Sequence, residues 1–160
     1  MLFKRIENKE IESAKKLYEI WQESYIVEKE LLGAVDFPPL NRLASDFMKS
    51  ENDFQGLYEK KELLGVIEIA QKLNSVHLQS LVVDPNHFRK GIATKLINKV
   101  FDSYPSTTYT VETGNSNIPA KKLYESLGFK KCKVWIAEFG IEKIKYEKNE
   151  GRISKIYRLP

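Results

Sequence analysis

The sequence predicts an α/β (α+β) fold, a sheet of mixed strand direction with helices on both faces. Three observations carry that expectation. An apolar stripe at helical spacing runs from Ile11 to Tyr25, and two β-rich runs flanking a polar turn come next. The chain then alternates strand, helix, strand, helix, strand.

In the first region Ile11, Ala14, Tyr18, Trp21 and Tyr25 recur at spacings of three, four, three and four, which places them on one helix face. Asp36-Phe37-Pro38-Pro39 ends that pattern, because two prolines cannot continue a helix. A shorter helix is expected around Asn41 to Met48. Phe54 to Tyr58 and Leu63 to Ala70 flank Glu59-Lys60-Lys61-Glu62 and read as a hairpin. Ser75 to Val83 is a third strand, closed by Asp84-Pro85-Asn86. From Gly91 to Tyr104 the residues Ile92, Leu96, Ile97, Val100, Phe101 and Tyr104 share a face, a strong amphipathic helix. Thr107 to Thr113 reads as a strand. Ile118 to Leu127 reads as a helix with Ala120, Leu123, Tyr124 and Leu127 inward, and Gly128 stands where a helix C-terminal glycine belongs. The remainder, from Phe129, alternates enough for two or three further strands, with no clean period between Glu138 and Lys145.

The totals narrow the function. A chain of 160 residues with 42% hydrophobic and 30% charged residues suits one well-buried core, and residues 1–160 are read as a single domain. No run approaches the roughly 18 apolar residues of a membrane span, and no signal-like apolar segment follows the N-terminus. With one cysteine, Cys132, neither an intrachain disulfide nor a thiolate zinc cluster can form. These features fit a cytoplasmic protein without membrane association. No metal-ligand spacing is evident, and His77 and His87 stand alone. The net charge of +4 suits an anionic small ligand, but lysines are interspersed with glutamates, so nucleic acid is not an expected partner.

Two segments carry chemistry. In Val83 to Thr94 an apolar strand ends, a loop turns, and a helix begins at a glycine. Helix-start N–H groups lack internal partners and the helix dipole makes that end positive, so a diphosphate fits there. Gly91 and Ala93 let the backbone approach closely, while Arg89 and Lys90 add charge. Taken alone, the segment is equally well a plain helix start with surface basic residues. The second segment is Asn117 to Phe129, where Asn117 can cap a helix and Pro119 is tolerated in its first turn.

Together these segments resemble the GNAT acyltransferase superfamily, whose acyl-CoA loop has the form Arg/Gln-x-x-Gly-x-Gly/Ala. Its next helix has the form Asn-x-x-Ala-x-x-x-Tyr-x-x-x-Gly-Phe. The second form is matched at Asn117, Ala120, Tyr124, Gly128 and Phe129. The first is matched at Gly91 and Ala93, with Phe88 where Arg or Gln is usual, which removes one side-chain donor.

The resemblance implies a six- to seven-stranded, mostly antiparallel sheet whose central parallel strands, Ser80 to Val83 and Tyr109 to Thr113, splay apart. It implies an acetyl-CoA-dependent N-acetyltransferase, with no metal, in which an amine attacks the thioester directly. Backbone groups at Leu81, Val82 and Val83 are then expected to bind the pantetheine arm. Phe88, Arg89, Lys90, Gly91, Ile92, Ala93 and Thr94 surround the diphosphate, Asn117 and Ala120 face the arm, and Tyr124 protonates the departing thiolate. An alkyl ammonium, with a pKa of about 10.4, must lose a proton first. Glu68, in an otherwise apolar strand, is the first candidate base, although a solvent-facing position on one sheet face is the alternative. Glu112 is the second candidate.

The resemblance places the acceptor near the first two helices and their connection, making Tyr25, Glu30, Asp36 and Phe37 candidates. Aromatic rings and carboxylates suit a cationic amine of a small molecule or peptide. The rival function is a non-catalytic acyl-CoA sensor or structural module. The C-terminal strands, Trp135 to Leu159, could pair across a homodimer.

Overall fold

The computed structural model describes residues 1–150 and contains a seven-stranded sheet with helices on both faces. The strands are β1 (Leu2–Arg5), β2 (Asp53–Glu59), β3 (Glu62–Gln71), β4 (Ser75–Val83), β5 (Thr108–Gly114), β6 (Lys130–Ile136) and β7 (Glu142–Asn149). The helices are α1 (Ile11–Leu32), α2 (Ala44–Lys49), α3 (Ile92–Ser103) and α4 (Ile118–Ser126). The order across the sheet is β1-β2-β3-β4-β5-β7-β6, and every neighbouring pair is antiparallel except β4 with β5. The expected mixed, mostly antiparallel architecture is therefore found.

Differences from the sequence expectation have local causes. β1 was not expected; it has four residues and a single half-buried side chain, so no alternation betrays it, and pairing with β2 fixes it. α2 starts later than expected. Pro38–Asn41 forms a 3-10 turn, Arg42 is extended (φ −71°, ψ 127°), and the Asp46 carboxylate accepts the Leu43 N–H at 2.8 Å. Two strands form after Phe129 within the described residues, so the Trp135–Leu159 pairing idea falls partly outside them.

Two cores sandwich the sheet. On one face the α1 residues Ala14, Leu17, Ile20 and Trp21 pack with Phe47, Phe54, Val66 and Val82. On the other, Ile92, Leu96, Ile97 and Val100 of α3 pack with Leu64, Ile67, Leu78 and Tyr109, joined by Tyr124 and Phe129 around α4. Each cluster is the apolar stripe of a helix set against alternate residues of the strands beneath it.

Two irregularities shape the centre of the sheet. Glu68 lies opposite Ser80 while Ile69 lies opposite Leu78, so Gln79 is an extra residue in β4, a bulge that re-aims the strand. The parallel ladder of β4 and β5 starts at Ser75 and Thr108 and stops at Leu78 and Val111. Beyond that point Gln79–Val83 and Glu112–Gly114 run on without pairing to each other. The splayed parallel pair follows from these two facts.

Candidate active site

A cleft of about 1000 Å³ opens where β4 and β5 part. α1 and the Phe37–Pro39 connection wall one side, and the start of α3 and the inward face of α4 wall the other.

The loop into α3 bends through two left-handed residues, Arg89 (φ 63°) and Gly91 (φ 75°), and α3 begins directly at Ile92. Gly91 is suited to that conformation because it has no Cβ to collide with the following carbonyl. No side chain caps this helix, and the first intrahelical bond at the end runs from Lys95 N–H to the Gly91 carbonyl. The N–H groups of Ile92, Ala93 and Thr94 are therefore left for a ligand, beside Phe88 and Arg89 on the cleft wall. Lys90 points elsewhere, with Nζ 3.4 Å from His87 Nδ1.

Backbone groups of β4 also face the opening. Asp84 N–H donates to the Leu64 carbonyl on the β3 side, whereas Val83 N–H points the other way, to Ser24 Oγ at 3.4 Å. Strand alternation gives Leu81 the same direction as Val83, and both line the cleft. Val82 does not; it is fully buried in the α1 core.

At the floor stands Tyr124, with its ring against Phe129 and Tyr146 at centroid distances of 5.8 and 6.0 Å. Its hydroxyl has no protein partner among the described residues, and burial together with the nearby Glu28 charge raises its pKa well above the ordinary value. Tyr25 also lines the cleft, tilted against Phe37 at 5.8 Å. Burial first, and then Glu28, raises its pKa too.

The carboxylates divide differently from expectation. Glu68 is buried, but Arg42 Nη1 and Nη2 donate to its two oxygens at 2.7 and 3.0 Å, and Asn52 Nδ2 donates to Oε2 at 2.9 Å. It does not line the cleft; Arg42 stands between. Glu112 does line it, 3.4 Å from Lys143 Nζ. Glu30 and Asp36 are exposed and lie off the cleft, because Glu30 is turned roughly 140° around α1 from Tyr25. Glu28 is the acid of α1 that lines the cleft. Its Oε1 accepts from Asn117 Nδ2 at 2.7 Å and from Thr113 Oγ1 at 3.1 Å. Burial raises its pKa, opposed by those two hydrogen bonds and by Lys143.

Sequence reasoning overlooked Glu28, although a signal was present. The spacing that links Ile11 to Tyr25 continues to positions 28 and 32, so a glutamate occupies the next position of an apolar stripe. Asn117 caps α4 as expected and has in addition a partner that the sequence did not announce. Its Oδ1 caps α4 at Ala120 N–H (3.2 Å) and its amide holds Glu28. Ala120 lies on the cleft wall. A further group, Glu62, Asp84 and His87, has ligand atoms within 4.8 Å of one another, although Lys90 Nζ already faces the imidazole.

Comparison with known proteins agrees with this geometry. Residues 29–150 match the model of the acetyltransferase (GNAT) domain. The chain is 31% identical over 137 residues to the UPF0157 protein YqkA of Bacillus subtilis (strain 168), covering 85% of this chain and 40% of that protein. It is 32% identical over 97 residues to the uncharacterized N-acetyltransferase YsnE of the same organism, covering 56% of this chain and 63% of that one. The chain thus spans less than two thirds of either relative. In fold it is similar to the PaiA N-acetyltransferase of Thermoplasma acidophilum, solved in complex with coenzyme A, with a TM-score of 0.72 at 18% identity over 94% of this chain and all of that one. A parted parallel strand pair, an uncapped helix start beside it and a family match over most of the chain lead to one conclusion: the chain belongs to the acetyltransferase (GNAT) domain family.

Proposed function

We propose that the protein is an N-acetyltransferase that moves an acetyl group from acetyl-CoA to a primary amine of a small molecule or peptide. The observation that carries this reading is the end of the β4–β5 ladder at Leu78 and Val111, which leaves outward-facing backbone groups beside a helix start that has no cap. Bound acetyl-CoA supplies an activated thioester open to attack by an amine.

The protein's own groups have distinct tasks. The N–H donors of Ile92, Ala93 and Thr94, helped by Arg89, would hold a diphosphate, and the grip is chiefly backbone because Phe88 offers no donor. Leu81 and Val83 would bind the amides of an extended arm as a neighbouring strand does. The Tyr124 hydroxyl, which has no protein partner among the described residues, would give a proton to the departing sulfur. Tyr25 and Phe37 would flank the acceptor amine.

Calorimetric titration with CoA and a free-thiol release assay over a panel of primary amines test this reading. Binding of CoA and amine-dependent thiol release are expected; no binding of CoA or acetyl-CoA would overturn it.

A further inference from the structure

Resting on the acetyl-transfer reading, we propose that Glu28 of α1 receives the acceptor's ammonium group and takes its proton, and that Asn117 positions Glu28 for this task.

The two oxygens of Glu28 are in different circumstances. Oε1 is clamped by Asn117 Nδ2 at 2.7 Å and Thr113 Oγ1 at 3.1 Å, both donated by residues that are themselves buried. Oε2 has no protein partner among the described residues, and no fully buried polar side-chain atom there lacks one, so Oε2 is open to the cleft. One oxygen fixes the carboxylate and the other is presented. The other carboxylates differ: both Glu68 oxygens are taken by donors, and Glu112 is itself paired with the Lys143 ammonium at 3.4 Å.

The groups facing Glu28 are Tyr25 on its own helix, Tyr124 of α4 and Lys143 of β7, with the neutral Thr113 and Asn117 between them. Burial makes the carboxylate a better proton acceptor than a solvated one, which narrows the gap to an alkyl ammonium. The step balances as follows. An ammonium N–H proton passes to Oε2, and the freed lone pair forms the N–C bond as the C–S bond breaks. The sulfur takes a proton from Tyr124, and the second amine proton replaces it.

The test compares Glu28→Gln, Glu28→Asp and Glu112→Gln. Glu28→Gln keeps an oxygen for Asn117 and Thr113. It is expected to lower kcat/KM for an alkylamine about 100-fold at neutral pH, to abolish the acidic limb of the pH–rate profile, and to leave CoA affinity unchanged. An arylamine, already unprotonated, is expected to lose far less. Glu28→Asp keeps the charge but withdraws it, and falls between. Asn117→Ala is expected to shift the acidic limb upward, an effect that a merely structural role would not produce. Independently of turnover, the Glu28 carboxyl carbon followed by NMR in the protein without CoA should move on addition of n-butylammonium, and should not move in response to tetrabutylammonium. A Glu28→Gln enzyme with an intact acidic limb, or a Glu28 resonance insensitive to n-butylammonium, overturns the assignment. Failure of CoA binding would instead overturn the acetyl-transfer reading, and the NMR arm tells the two apart.

Discussion

Arg42 sets its two Nη groups against the two carboxylate oxygens of Glu68, at 2.7 and 3.0 Å, with its guanidinium carbon 4.2 Å from the Phe47 ring centre. Glu68 is 1% exposed, so the pair is held in an apolar setting between Trp21, Phe47 and Phe54. Removing the guanidinium leaves a buried charge without its partner. Arg42→Ala is expected to lower unfolding free energy by about 3–5 kcal/mol in urea titration. The double variant Arg42→Met/Glu68→Met removes both charges and should lose much less. Glu68→Gln should reduce stability while leaving the pH–rate profile in place; a lost limb would return Glu68 to the role of base.

At Gly91 the backbone stands at φ 75°, and an added Cβ would meet nothing within 4 Å. The cost of a side chain there is conformational rather than a clash. Gly91→Val is expected to abolish CoA binding in calorimetry and to cost about 1–2 kcal/mol of stability. Phe88→Ala should only weaken binding. Normal binding by Gly91→Val would place the diphosphate elsewhere.

The Tyr124 hydroxyl has no protein partner among the described residues, so its loss should leave thermal stability nearly untouched. Tyr124→Phe is expected to reduce kcat about 100-fold while acetyl-CoA affinity stays the same. Unchanged turnover would remove Tyr124 from the chemistry.

Glu28 also has a stability signature. Its carboxyl pKa is raised in the folded protein, so the folded state keeps a proton over a window where the unfolded chain has lost it. Its contribution is full below the ordinary value of 4.5 and is lost as pH rises through the folded value. Glu28→Gln should flatten this dependence and make the protein more stable than wild type at about pH 8. Urea titrations across the pH range check it; parallel curves for the two proteins would contradict the shift.

Much of the fold was legible because helix stripes and turn residues are local. The α3 face and the Asn117–Phe129 motif needed only a dozen residues each to be recognised. The lining of the cleft was legible at the helix start, Gly91 to Thr94, and less so where side chains meet across the chain. Asn117 reaches Glu28 over 89 positions, and no local pattern announces such a bond. Glu30 has the charge that suits a cationic amine, but helical phase decides which acid of α1 faces the cleft, and the stripe through Trp21 and Tyr25 selects Glu28; Asp36 lies beyond the helix and is exposed. The partner of Glu68 is just as distant: Arg42 arrives from an extended segment whose course is set by the Pro38–Asn41 turn.

The hydrogen bond from Asn117 to Glu28 joins helices that lie on opposite faces of the sheet. An intact sheet keeps its two helical layers out of touch, like a wall between rooms. Here the gap between β4 and β5 is a window, and α1 and α4 clasp hands through it. A molecule filling that window therefore meets both layers at once, with Glu28 of α1 on one side of it and Tyr124 of α4 on the other.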